Sequence, residues 1–153
     1  MQRSRFGSAP LLLVIALYLV LGISVTFLVS GISLARWAKF DSLLLLAGFI
    51  GLILVFVPGI GHEVNGSQRW LNLGLIKVQA SEIAKLGAVF YVAGYLVRRK
   101  DEVQKQLSGF IKPLFILAFM VALLLAEPDF GAAVVLMGAV MIQLFLGGVK
   151  AGQ

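Results

Sequence analysis

Five long apolar stretches, at about Pro10–Ser30, Ser42–Pro58, Ala80–Val97, Phe110–Ala126 and Gly131–Gly147, dominate this sequence. A helix needs about 20 apolar residues to cross a bilayer's hydrocarbon core. Inside that core the backbone must satisfy its own polar groups, which a helix does within one segment. The pattern therefore predicts an all-α, polytopic membrane bundle of about five spans. Composition agrees: 60% of the 153 residues are apolar, 13% are charged, and the mean hydropathy is +1.01. A soluble domain of this size has no interior large enough for that much apolar surface.

The first run, from Phe6 to Ala35, follows Arg3 and Arg5 as a signal peptide would. It is too long for a signal-peptide core and lacks a cleavage motif, so it reads as a span. Between the last two runs lies Glu127-Pro128-Asp129-Phe130-Gly131. Proline interrupts a helix and glycine permits a turn, which predicts a helical hairpin there. With no cysteine, disulfides and thiolate metal sites are excluded. No repeat, low-complexity tract or linker is evident, and residues 1–153 read as one transmembrane domain without a separate soluble one.

Alternating spans divide the basic residues unequally. Arg36, Lys39, Arg98, Arg99, Lys100, Lys105, Lys112 and Lys150 fall on one side, and Arg3, Arg5, Arg69 and Lys77 on the other. The positive-inside rule makes the eight-residue side cytoplasmic. Loops 31–41 and 98–112 are then expected inside, and loops 60–79 and 127–131 outside. The net charge of +6 is thus a topology signal, and no nucleic-acid partner is expected. The same assignment puts the N-terminus outside with two arginines on it, which leads us to expect an internal piece of a larger protein.

Ionisable groups at membrane depth are costly and are functional candidates by default. Glu82 and Lys85, three apart in the first turns of the third span, share a helix face. They suit a cavity that binds an anionic or sugar-bearing ligand, and equally an interfacial ion pair marking the start of the span. Arg69 offers a fork for phosphate or pyrophosphate. By the residues alone, an interfacial anchor beside Trp70 of an aromatic belt is the better reading. Asp129 can pair with Lys85 or Arg69, bind a cation, or cap the following helix. Its Asp-Phe-Gly triplet matches the kinase magnesium loop, but no other kinase motif accompanies it. The sequon Asn65-Gly66-Ser67 is weak, and His62 has no partners at metal-ligand spacing.

The strings VNGSQRWLNLG…VQASEIAK and LLLAEPDFG, about forty residues apart, resemble the shape, elongation, division and sporulation (SEDS) family. The family pattern is roughly Gly-Ala-x-Arg-Trp, Gln-Pro-Ser-Glu-x-x-Lys and Gln-Pro-Asp-Leu-Gly-Thr. The resemblance covers at least residues 40–150. The stretch YLVRRKDEVQKQLSGFIKP looks more like the division branch, FtsW, than the elongation branch, RodA. Ala80, Phe130 and Ala132 depart from the usual proline, leucine and threonine.

The resemblance implies a ten-span glycosyltransferase of the bacterial inner membrane, at the division septum. It would polymerise lipid II into glycan strands beside a class B penicillin-binding protein and other divisome proteins. A lipid II flippase and a non-catalytic divisome scaffold are the alternatives. By span count the chain corresponds to the second to sixth spans, and the family's proposed catalytic aspartate lies beyond it, so no catalytic residue is assigned here. Arg69, Glu82, Lys85 and Asp129 would form the polar floor of the family's cavity, with Gln79, Ser81 and Trp70 in support. The resemblance names no definite cofactor and leaves a divalent cation open, which Glu82 and Asp129 would help to place.

Overall fold

The computed structural model describes residues 8–64, 66–74 and 77–148. Asn65 of the sequon, Arg3, Arg5 and Lys150 lie outside them. The chain divides into a unit ending at Trp37 and a second unit from Ala38 onward. In the first unit, α1 (Ser8–Ser30) is apolar on all sides, and its side chains from Pro10 onward are exposed. A helix apolar all round suits lipid. Its hydroxyls are matched within the helix: Ser24, Thr26 and Ser30 donate to the carbonyls of Val20, Gly22 and Phe27 at 2.7, 2.8 and 3.0 Å. That local bonding spares lipid an unpaired polar group.

The second unit takes in the rest of α2 (Leu34–Val55), strands β1 (Gly61–Val64), β2 (Ser67–Asn72) and β3 (Lys77–Gln79), then α3 (Ala80–Arg98), α4 (Lys100–Lys105), α5 (Ser108–Ala126) and α6 (Phe130–Leu146). α1, α2, α3 and α5 are long and apolar enough to cross a membrane. α6 has 17 residues, at the short end of the spanning range. The chain is mostly helical, and four of the expected spans match these helices to within two residues at their starts.

Two expectations are corrected. The second helix begins at Leu34 rather than Ser42, so most of the expected 31–41 loop is helical. Arg36 and Lys39 lie in the first turns of α2 and do not end it, because long basic residues are good helix formers whose charge reaches outward. Within residues 60–79, expected as a loop, the three strands form an antiparallel sheet in the order β1-β2-β3. Gly61 pairs with Leu71 and His62 with Trp70, and Trp70 in turn pairs with Gln79. Backbone outside a helix still needs partners, and these short strands supply one another's. Their alternation is too brief to stand out beside the apolar runs.

The core lies between helices. Leu52 and Val55 of α2, Met120 and Leu124 of α5, and Leu136 and Val140 of α6 are fully buried around the small residues Ala80, Ala84 and Ala88 of α3. Small residues let membrane helices approach closely. A Cβ on Gly87 would lie 2.4 Å from the Leu44 carbonyl oxygen, and one on Gly48 would lie 2.8 Å from Ala84 Cα. A polar tie joins α6 to α3, where Gln143 Nε2 donates to the Val89 carbonyl at 3.0 Å. This packing brings the α5–α6 turn beside the sheet.

Candidate ligand-binding site

The sheet and the α5–α6 turn bring charged groups from distant parts of the sequence together. Arg69 projects from β2, and its NH1 lies 3.9 Å from Asp129 Oδ1. Its NH2 donates to the Pro128 carbonyl. Gln79, the last residue of β3, reaches Asp129 Oδ2 with its amide nitrogen at 3.5 Å. Asp129 also caps α6, accepting from the Ala132 N–H at 3.2 Å. Two of the alternatives for Asp129 therefore hold together, since it pairs with Arg69 and caps a helix.

The departures from the family pattern leave this framework intact. Ala80 is the first residue of α3, where proline's missing N–H would cost nothing and alanine is a good helix former. Ala132 serves the cap through its backbone, and Phe130 is exposed.

Glu82 and Lys85 form a separate pair one turn into α3, at 2.7 Å between Nζ and Oε1. Glu82 is exposed, with Lys85 more enclosed. The two pairs share no hydrogen bond or ion pair among the described residues. Ser81 is fully buried beside them, and Trp70 is half-buried on β2.

One residue of the site escaped the sequence argument. Glu127, in the turn after α5, is 1% exposed, and neither of its carboxylate oxygens has a hydrogen-bond partner. Arg69 Nε and Ser81 Oγ are likewise buried and unpartnered. Buried polar groups are nearly always matched, and four of the six unpartnered buried side-chain atoms among the described residues lie at this end, the others being Tyr95 Oη and Gln143 Oε1. Burial pushes the Glu127 carboxyl up to about 8, with the Asp129 charge adding to the shift and Arg69 opposing it. At neutral pH Glu127 is then mainly a neutral acid that can donate a hydrogen bond, beside the acceptor Asp129 and the donor Arg69. The available signal was a fourth departure, an ionisable residue where the family pattern has glutamine.

No group of three or more His, Cys, Asp or Glu side chains among the described residues is placed to hold a metal. The polar groups that converge are two carboxyls, one guanidinium and an amide. Such a set can orient an anion's oxygens around Arg69 and exchange a proton through Glu127.

Comparisons with known proteins agree with this picture. The family model described as "Cell cycle protein", covering FtsW, RodA and SpoVE, matches residues 3–153. Over 132 residues the chain is 52% identical to the probable peptidoglycan glycosyltransferase FtsW of Pseudomonas fluorescens, covering 86% of this chain and 32% of that protein. The chain thus spans about a third of the length of the curated relatives it matches. Its fold matches the crystal structure of the rod shape determining protein RodA of Thermus thermophilus, with a TM-score of 0.76 at 30% identity, over 88% of this chain and 44% of RodA. It matches equally a structure of a peptidoglycan synthase complex that addresses the coordination of polymerization and crosslinking, with a TM-score of 0.76 at 31% identity, over 87% of this chain and 38% of the other. A mostly helical membrane fold, the paired Arg69 and Asp129, and a family match along nearly the whole sequence lead to one conclusion: this chain belongs to the FtsW/RodA/SpoVE (SEDS) family.

Proposed function

We propose that this chain is the part of a peptidoglycan glycosyltransferase that holds the lipid-linked pyrophosphate while glycan strands are polymerised from lipid II. The observation that carries the proposal is the Arg69–Asp129 cluster at the sheet end of the helical unit, with its buried, unmatched donors and acceptors. The fold likeness to RodA and the 52% identity to an FtsW support it. In this reading the sheet and the 127–129 turn face the extracytoplasmic side, and α4 with loop 98–112 faces the cytoplasm, as the distribution of basic residues predicts.

Polymerisation transfers a growing strand from its undecaprenyl pyrophosphate to a sugar hydroxyl of the next lipid II. Negative charge builds on the departing pyrophosphate, and fixed cations lower the energy of that state. Arg69 and Lys85 are the two cations offered here. Asp129, itself held by Gln79, and the Pro128 carbonyl hold Arg69 in place, and Glu82 does the same for Lys85. Lys85 is the less encumbered of the two, because its partner is exposed and can swing away as pyrophosphate arrives. The general base for the acceptor hydroxyl comes from outside this chain. A class B penicillin-binding protein, the enzyme type that cross-links such strands, is the proposed partner, and the division septum the proposed site of action.

The test is glycan synthesis by the purified full-length protein supplied with lipid II. The Lys85→Ala variant is expected to insert into the membrane normally and make no polymer. Wild-type chain lengths from that variant would remove Lys85 from the site. A second reading, translocation of lipid II, draws on Glu127: a buried protonatable carboxyl in a membrane protein suits a proton-coupled carrier. Translocation by reconstituted protein without glycan product would favour it over polymerisation.

A further inference from the structure

The opposite end of the helical unit carries a cavity of about 690 Å³ that the proposed reaction does not use. That is within the size range of small-molecule sites, about 300–1,000 Å³. Tyr91, Tyr95 and Arg98 from the end of α3 and Arg99 just after it line it, with Lys112 and Phe115 from α5. We infer that this cavity binds the phosphate of an anionic lipid headgroup from the inner leaflet. The side of the membrane in this inference rests on the orientation proposed above.

Charge is the first support. Segment 98–112 has five basic residues and two acidic ones. The guanidinium of Arg98 contacts Asp41, which is 2% exposed, and Arg99 NH1 meets Glu102 Oε2 at 3.0 Å. Lys112 is held to the other oxygen of the same Glu102. Three cations thus share two carboxylates and leave a positive excess at the cavity. Each guanidinium has five N–H donors, and the described hydrogen bonds use only the NH1 nitrogen of Arg98 and of Arg99. The remaining donors are available to phosphate oxygens, for which the arginine fork is well shaped.

A second, independent support is Tyr95. It is 7% exposed and lines the cavity, and its hydroxyl is buried with no hydrogen-bond partner. A buried hydroxyl without a partner costs stability unless a ligand supplies one. Tyr91 stacks on Tyr95 with ring centroids 6.3 Å apart, which holds the ring in place.

The third support concerns the source of the phosphate. Ile111 and Phe115, on the α5 wall of the cavity, are 52% and 75% exposed. This apolar wall runs from the basic rim along a membrane span, the path an acyl chain takes when its headgroup is bound. Basic pockets between spans on the cytoplasmic side bind anionic headgroups on this principle. A soluble phosphate would need the rim but not the wall.

The experiment uses the full-length protein in detergent, with native mass spectrometry of retained phosphatidylglycerol against phosphatidylethanolamine of the same acyl chains. The wild type is expected to prefer phosphatidylglycerol. Arg99→Gln and Lys112→Gln should each lower that preference about fivefold, in line with the usual contribution of one basic residue near an anionic surface. Tyr95→Phe should lower it without a change in charge. Unchanged thermal unfolding would show the variants to be folded, and Arg98 is kept because it neutralises Asp41. Inorganic phosphate should not displace the lipid.

Equal retention of both lipids by the wild type, undiminished preference in all three variants, or displacement by inorganic phosphate would overturn the inference. These 153 residues contain no cysteine, so with any cysteine elsewhere in the full-length protein replaced by serine the orientation is separately testable. A single Gln106→Cys label site should be closed to an impermeant thiol reagent in intact cells. Labelling there would overturn the orientation and the inner-leaflet lipid together. A protected site with no lipid preference would overturn the lipid alone.

Discussion

The two charged clusters of the helical unit sit at opposite ends of α3 and differ in how fully their carboxyl groups are matched. At the α4 end, Asp41 accepts from Arg98 as well as from the Ser42 hydroxyl at 3.0 Å, and Glu102 holds both Arg99 and Lys112. Gly94 makes room for the first of these pairs, since a Cβ there would lie 2.0 Å from Asp41 Oδ2. At the sheet end the Arg69–Asp129 separation is 3.9 Å, and Glu127, Ser81 and Arg69 Nε have unmatched buried atoms. Matched buried charge fixes one packing arrangement. Unmatched buried polar groups cost stability and are expected where a ligand completes the set. The contrast lies in the carboxylates, which are paired at the α4 end although Tyr95 beside them keeps an unpartnered hydroxyl, and it predicts opposite responses to substitution.

The largest expected effect is at the matched end. Arg98→Ala strands a buried Asp41 carboxylate and should lower the stability of the detergent-solubilised protein by about 3 kcal/mol, the low end for a broken buried pair because the arginine is half-exposed. Thermal unfolding at fixed pH measures this. A loss below about 1 kcal/mol, the usual value of an exposed pair, would remove the distinction between the ends.

The next effect has the opposite sign. Glu127→Leu replaces a carboxyl with two unpartnered oxygens by an apolar group of similar size, and should raise stability by about 1–2 kcal/mol while lowering polymerase activity. A less stable variant would mean that Glu127 is matched after all.

The same residue predicts a pH dependence. Its folded pKa of about 8 lies well above the ordinary glutamate value of about 4.3. Between these values the folded state keeps a proton that the unfolded state has released. This contribution is therefore fully present below about pH 4.3 and is lost as pH rises toward about 8. Urea unfolding across that window should show stability falling for the wild type, with a flatter profile for Glu127→Gln. Equal slopes would place the titration elsewhere.

The smallest effect separates the two roles of Asp129. Asp129→Ala loses the α6 cap and should cost about 1 kcal/mol, whereas Asp129→Asn keeps a good capping residue and should cost only a few tenths. Circular dichroism melts of both variants test the difference.

Much of this was legible in the sequence because the bilayer forces long apolar helices, and their length and charge-free composition identify them. Arg69, Asp129 and Gln79 could be nominated because polar residues stand out against such a background. Which of them meet could not be read: Asp129 had Lys85 and Arg69 as equal partners until the sheet turned Arg69 toward the α5–α6 turn. The sheet was missed because strands of three to six residues leave only a faint alternation. Glu127 was missed because sequence shows a carboxyl beside a turn but not its 1% exposure. The α2 start was misjudged because Arg36, Lys39 and Asp41 lie inside the helix, where charge alone does not end it.

The most direct test of the central claim, that the unmatched sheet-end cluster serves the lipid-linked pyrophosphate, is lipid II polymerisation by full-length Asp129→Asn, assayed beside its melting temperature. The account predicts a nearly unchanged melting temperature and loss of glycan product, because the cap survives while the charge that orients Arg69 is gone. Wild-type glycan chains from a folded Asp129→Asn protein would contradict it.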